Sequence, residues 1–347
     1  MREKLRSAAE TLLRFAEAVE RRGLRAGYEV LAEAETTSDF PILLSNEIGK
    51  VLQQAYRAVP DEWQRVTQQV DVPDFKERKA VRISEAEDLL PIAEMGEYID
   101  STLSESAEGY RVGKFGREFG VSWETIVNDD LRAIIRQPER FGRAAAALVN
   151  ALTWSILANG HDETLVPMYD GKALFSADHG NLIDDALSET GMQAALAAIR
   201  RQTDDKGRPI TFPGRFTLVV PVELQFPARK ILESVASTIS AGNSGIINPA
   251  QGVADLILVP WLTDANDWYL IASPADIDTI YVAFLSIVGR SPQLFIQEPG
   301  WRFVGGGVPD VRQGVGQTSD VAKYRVRHVV GVKPIDWRGM VKSQVGA

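Results

Sequence analysis

The sequence predicts an α+β protein in which helices and strands are segregated along the chain instead of alternating as βαβ units. Three observations carry that reading. Residues 138–158 have helical spacing, with Phe141, Ala145, Leu148, Leu152 and Ile156 on one face. The last third is rich in strand patterns, and Tyr324, Val326, His328, Val330 and Val332 alternate as a half-buried strand does. Residues 65–123 form a polar, two-armed stretch. Its outgoing arm carries Val66, Gln68, Val70, Val72, Val81 and Ile83, and its return arm carries Tyr110, Val112, Phe115, Phe119 and Val121. An acidic tip lies between them, with Glu85, Glu87, Asp88, Glu94, Glu97, Asp100, Glu105 and Glu108. A two-stranded ribbon is marginal alone in water, so this one needs a partner surface. A neighbouring copy of the chain is the simplest supply, which points to an assembling protein.

The remaining elements follow in order. Leu5, Ala8, Ala9, Leu12, Ala16 and Val19 predict an amphipathic helix over 3–22, ended by Gly23, with a second short helical piece to Ala34. Both an assembly arm and a peripheral packing helix fit this segment. Thr36-Thr37-Ser38-Asp39-Phe40-Pro41 suits a turn or helix cap, and Ile42, Leu43, Ile48, Val51, Leu52 and Tyr56 continue a helical face. Pro138 is placed at the first position of the long helix, which Asn159-Gly160 ends in a left-handed cap. At 1.5 Å per residue that helix is about 30 Å long. A loop over 160–187 precedes helices at 189–202 and 222–240, with a buried strand at 216–221 between them. Strands at 254–260 and 268–272 are joined by the turn-prone 263–266. Further strands are expected at 279–285, 293–298, 301–304 and 322–333.

Bulk composition excludes several function classes. The 347 residues, 45% hydrophobic, suffice for a sizeable core. A net charge of −9 leaves no basic segment to grip nucleic acid through its phosphates. With no cysteine there is no disulfide, thiolate metal site or cysteine nucleophile, which fits a reducing compartment. Met1 to Glu10 is charged and lacks the apolar core of a signal peptide. The longest apolar run, 144–158, is broken by Asn150, Thr153 and Ser155, so no membrane span is expected.

Candidate chemistry is sparse. His161-Asp162-Glu163 and Asp178-His179 are the dense His/carboxylate groupings, and His161, Asp178 and His179 define the alternative reading of a metal-dependent hydrolase. The two histidines lack i, i+4 helical spacing, so turn or surface hydrogen bonding is the expectation. His328 reads as a packed strand residue. Gly305-Gly306-Gly307, Gly314 and Gly316 lack the Lys-Ser/Thr and strand-to-helix context of a phosphate loop. Asn128-Asp129-Asp130 reads as a helix cap with acids at the positive end of the dipole. No catalytic, cofactor or metal residue is therefore assigned.

Three motifs occur together in order: Thr36-Thr37-Ser38-Asp39-Phe40-Pro41, Val127-Asn128-Asp129-Asp130-Leu131, and Leu174-Phe175-Ser176-Ala177-Asp178-His179-Gly180-Asn181-Leu182. With them residues 36–335 resemble tailed-bacteriophage major capsid proteins of the Mu-like major head subunit group, which have the Hong Kong 97-type capsid fold. Val127 stands where that family often has Ile. The resemblance implies an architecture: an N-terminal helical segment outside the match (1–35), an N-arm (36–64) and an extended E-loop hairpin (65–123). A P-domain with the spine helix (124–188), an A-domain (189–278) and P-domain return strands with the C-terminal tail (279–347) follow. It implies a non-enzymatic subunit that self-assembles through pentamers and hexamers into an icosahedral shell in the host cytoplasm. That shell encloses double-stranded DNA without sequence-specific binding. Scaffold, portal and decoration proteins are the implied partners, with no cofactor and no membrane. Another oligomeric phage component, such as a tail or decoration protein, is a further alternative.

Overall fold

Helix α1 (Phe40–Arg57) and helix α2 (Leu131–Ala158) are the longest helices of the computed structural model, which describes residues 40–83, 105–122, 131–235, 247–296 and 321–345. Outside these residues lie the expected helix at 3–22, the cap at 36–39 and the tip acids from Glu85 to Asp100. The same holds for Asn128-Asp129-Asp130, the strand at 301–304 and the glycines from Gly305 to Gly316. Helix α2 begins seven residues earlier than its sequence suggests, directly after Asn128-Asp129-Asp130. Pro138 therefore stands inside the helix, where it withholds one backbone donor at a cost of about 3 kcal/mol.

The chain divides into two compact units, which share several long elements. The first contains α1, the helix α2 up to Ala145, and parts of three strands: β4 (Gly113–Ser122) from Gly116, β10 (Gln293–Ile296), and β11 (Val321–Pro334) up to His328. In this unit β10 pairs antiparallel with β11, Gln293 opposite Arg327 and Ile296 opposite Tyr324. The pleat sends Tyr324, Val326 and His328 to one face. Helices cover that face: Phe119 stacks on both Phe141 and Tyr324, at 5.1 Å in each case, and Tyr56 meets His328 edge-on. The two helices approach closely at Gly142. A Cβ there would sit 2.9 Å from the Ala55 Cβ and collide with the Leu52 carbonyl.

The second unit is layered around two sheets. In one, β1 (Gln68–Val72) runs parallel to β9 (Ile280–Leu285), which pairs antiparallel with residues 330–334 of β11. The other has the order β5 (Leu182–Ile183), β12 (Met340–Ser343), β8 (Trp268–Ile271), β6 (Phe216–Val220), β7 (Ala254–Leu258). Its two faces bury different clusters. Val219, Tyr269 and Ile271 join Val149, Trp154 and Leu157 of α2 and Val282, Phe284 and Val330 of the first sheet. Leu218, Val220, Trp268 and Leu270 pack with residues of α3 (Glu189–Arg200) and α4 (Gln225–Glu233), among them Met192, Ile199 and Ile231. Burial on both sides explains why β6 reads as an unbroken apolar run instead of an alternation.

Several sequence expectations change. The outgoing and return arms are not one free ribbon: β1 belongs with β9 and β4 pairs with β11. Only β2 (Arg78–Ile83) and β3 (Glu105–Tyr110) pair with each other alone. Strands β7 and β8 do not form a hairpin, because β6 lies between them. The helix expected over 222–240 is a 3-10 turn at Val222–Leu224 followed by α4. Strands β5 and β12 were not anticipated. Gly160 does not adopt a left-handed conformation; a Cβ there would lie 2.7 Å from the Phe175 ring.

The buried seam of α2 also differs. Leu148 and Leu152 are half-buried, whereas Val149, Asn150, Thr153, Trp154 and Leu157 are buried. The polar members satisfy themselves: Thr153 donates to the Val149 carbonyl at 2.9 Å, and Asn150 accepts from the Trp154 indole at 3.3 Å. By length and composition residues 136–158 are apolar enough to cross a membrane, with mean hydropathy 1.3, but half of that window is buried inside the protein's own fold. Leu157→Ala should cost about 2–5 kcal/mol, and Leu152→Ala distinctly less. Denaturant midpoints of unassembled subunits would measure both, and a larger loss at Leu152 would mean the seam is misassigned. Gly142→Ala should also destabilise, by about 1–3 kcal/mol, because backbone stands in the way of the new methyl.

Candidate functional site

The loop from Asn159 to Asn181 carries the residues singled out for metal chemistry, and each is engaged separately. Helix α2 ends at Ala158, and the Phe175 N–H returns to the Gly160 carbonyl at 2.8 Å. Leu174 and Phe175 are buried, Gly180 takes a positive φ of 63°, and Asn181 clips the loop through the Leu174 carbonyl (2.9 Å) and the Ser176 N–H (3.1 Å). His179 is buried within this frame. Its Nε2 lies 2.9 Å from Asp170 Oδ2, its Nδ1 lies 3.2 Å from the Leu174 carbonyl, and its ring stacks on Trp337 at 4.1 Å. Burial pushes the Asp170 carboxyl upward, but hydrogen bonds from His179 and the Lys172 N–H outweigh it and hold the group below its ordinary value.

Asp178 points elsewhere. Its carboxylate meets the Lys172 ammonium at 2.7 Å, and that hydrogen bond and charge lower its pKa. His161 is exposed, with Nδ1 3.3 Å from Lys342 Nζ. The three residues of the hydrolase reading thus do not converge. Among the described residues no group of three or more His, Asp or Glu side chains is placed to hold a metal ion.

Two buried polar groups lay beyond sequence reasoning. Lys342, fully buried in β12, pairs with Asp267 at 2.7 Å, and its ammonium lies 5.8 Å from the Tyr269 ring. A lysine in an unrecognised four-residue strand carries no signal that it is buried. His328 is buried in the first unit, and burial lowers its pKa to about 4.

The ribbon and the first unit's sheet present the exposed features. On β2–β3, Ala80 and Glu108 face inward at opposed positions. Glu108, counted by sequence among the tip acids, is a buried anchor instead: it accepts from the Tyr169 N–H, and the Lys333 ammonium is 3.9 Å away. Tyr110 meets Tyr281 edge-on at 5.6 Å. Val81, on the other ribbon face, is half-exposed. On the sheet of the first unit, Arg325 donates through Nε to Glu118 at 2.8 Å, and Arg327 donates to Gln293 at 2.7 Å while its guanidinium lies 4.5 Å from the Phe295 ring. Phe295 is 39% exposed, and the Arg325 and Glu118 side chains are 63% and 52% exposed.

The family model described as phage capsid protein matches residues 105–343, which is more than half of the chain. The chain belongs to the phage capsid protein family. Its residues make it a shell-forming capsid protein, the reading that the metal-dependent hydrolase alternative had opposed. No curated protein sequence matches the chain. Solved structures agree on the Hong Kong 97-type fold. A chain from Mycobacterium phage Patience is 11% identical, with 88% of each chain covered and a TM-score of 0.52. The capsid of Ralstonia phage GP4 is 11% identical, covering 83% of this chain and 91% of its own, also at 0.52. The capsid of Cyanophage P-SCSP1u is 7% identical, covering 82% and 88%, again at 0.52. At these identities the likeness is one of fold.

Within this capsid protein the buried polar groups are expected to act on stability. Lys342→Met strands Asp267 and should cost about 3–5 kcal/mol, whereas Lys342→Met with Asp267→Leu should recover much of that loss. For His328, the unfolded chain takes up a proton below its ordinary value near 6.5, while the folded chain resists until about 4. Stability should therefore fall as pH drops through that window, by about 2–3 kcal/mol at pH near 4.5. Unfolding midpoints at neutral and acid pH would show it, and the drop should shrink in His328→Leu.

Proposed function

We propose that the chain is a major head subunit of the Mu-like group, whose copies form pentamers and hexamers of an icosahedral shell around phage double-stranded DNA. In this reading residues 36–64 are the N-arm and 65–123 the E-loop hairpin, of which only β2–β3 and the tip stand apart from the sheets. Residues 124–188 and 279–347 form the P-domain with α2 as spine helix, and 189–278 form the A-domain that meets its copies about the capsomer axes. Assembly takes place in the host cytoplasm, with scaffold, portal and decoration proteins as partners. No catalytic step, cofactor or membrane is involved. An acidic chain with pI near 5.1 suits a container that must not trap its DNA.

The observation that carries the reading, beside family membership, is the β2–β3 ribbon. Its strands pair with no other described strand, and one face exposes Val81. A ribbon with a single layer gains its second layer from another copy. Electron microscopy of the purified protein tests the function directly: shells or capsomers are expected, and a uniformly monomeric protein at assembly concentration contradicts it. Replacing residues 84–104 by an Asn-Gly turn should leave β2–β3 closed and the subunit melting like the parent. Closed shells should be lost, and normal shells from that variant would remove the ribbon from the assembly mechanism.

A further inference from the structure

The charge of this chain is concentrated in one place. Residues 84–104 carry Glu85, Glu87, Asp88, Glu94, Glu97 and Asp100 and no Lys or Arg, so they hold −6 of the net −9, leaving −3 for all other residues. This segment joins the ends of β2 and β3, where Ile83 pairs with Glu105. Its 21 residues form two legs that extend as far as about 35 Å beyond that pair. A segment of one sign, carried on a ribbon that lacks a covering layer, is matched by a cationic, partly apolar surface.

The first unit has such a surface. One face of its sheet is covered by helices through Tyr324 and His328. The opposite face carries Arg325 and Arg327 at alternate positions of β11, an alternation that Lys323 continues in the sequence. Phe295 stands directly opposite Arg325 in the register. Of the acids on this face, Glu118 engages Arg325 alone, while Arg327 has a neutral partner, Gln293, and its Nε has no hydrogen-bond acceptor among the described residues. The face thus offers unspent guanidinium donors beside an exposed aromatic ring. That composition fits carboxylates interspersed with apolar side chains, as in Leu89, Leu90, Ile92 and Ile99 of the acidic segment.

We infer that the acidic segment 84–104 of one copy docks on the Phe295/Arg325/Arg327 sheet face of a second copy, and that this charge pairing sets which surface the ribbon chooses. The inference rests on the shell-forming reading and names the receiving surface. Carboxylates bring the ribbon to the face over a Debye length, and Phe295 and the segment's leucines supply the burial that holds it there.

The cysteine-free chain permits a direct test. Copies carrying Glu94→Cys alone are mixed with copies carrying Phe295→Cys alone, allowed to assemble, and oxidised. A disulfide-linked heterodimer is expected from the mixture. In parallel, Arg325→Glu with Arg327→Glu should lower the yield of particles about tenfold while the unassembled subunit melts like the parent. Adding Glu94→Arg and Glu97→Arg to that variant should restore yield. Three results overturn the inference. One is full assembly of the Arg325→Glu/Arg327→Glu protein. Another is a link formed only within a single chain that carries both cysteines. The third is loss of assembly that the reversed acids fail to rescue. A parent chain that forms no particles overturns the shell reading as well, so the two failures are told apart.

Discussion

Strand β11 is the constraint on which both units depend. Its first half pairs with β10 and its second half with β9, and β4 pairs with it as well. Through Arg327 it buries one face; from His328 onward the strand is buried residue after residue, Val329 in one cluster and Val330 in another. A strand that passes from half-covered to fully covered must change its composition along its length. This one does so, from Tyr-Arg-Val-Arg to Val-Val-Gly-Val. A slip by one residue would put arginines under the helices of the first unit and strip Val330 from the core of the second.

The conserved chemistry of the loop from Leu174 to Leu182 is structural in this capsid protein. Leu174 and Phe175 fill the core, the Ser176 hydroxyl accepts the His179 N–H, and Gly180 supplies the left-handed residue. Asn181 then bridges Leu174 to the Trp337 carbonyl, while its own carbonyl takes the Lys342 N–H. The tail is held by the same loop, since Trp337 stacks on His179 and Arg338 pairs with Asp336 and Asp205. Histidine and aspartate are used here as orienting hydrogen-bond partners in a crowded junction, which is why their density in the sequence resembled a metal site.

What the sequence disclosed and what it withheld divide along local and non-local lines. Helix α3, strands β6, β8, β9 and β11, and the α+β class follow from periodicity over a few residues. The pairing of Gln68 with Tyr281 does not, because a parallel ladder between distant segments leaves no local mark. Hence Val66 to Val72 read as part of a ribbon. The seam of α2 was displaced because a search for apolar residues passes over Asn150 and Thr153, whose polar atoms are satisfied by their own helix. Glu108 was counted as a solvated acid for the same reason: its partner, the Tyr169 N–H, comes from a distant loop. The family resemblance rested on short motifs and therefore conveyed the fold and function without these contacts.

The self-contained polar groups of α2 have a mechanical corollary. Thr153 bonds back to Val149, Asn150 to Ala146, and Trp154 to Asn150, all inside one helix. The buried side-chain hydrogen bond among these that reaches another element is from Asn150 to the Pro60 carbonyl, at 3.3 Å. Axial sliding of this helix past its sheet is therefore resisted by interlocking shape and a single clasp, and carries little hydrogen-bond friction. In a wall made of many copies, such a rod can absorb shear without exposing an unsatisfied polar atom.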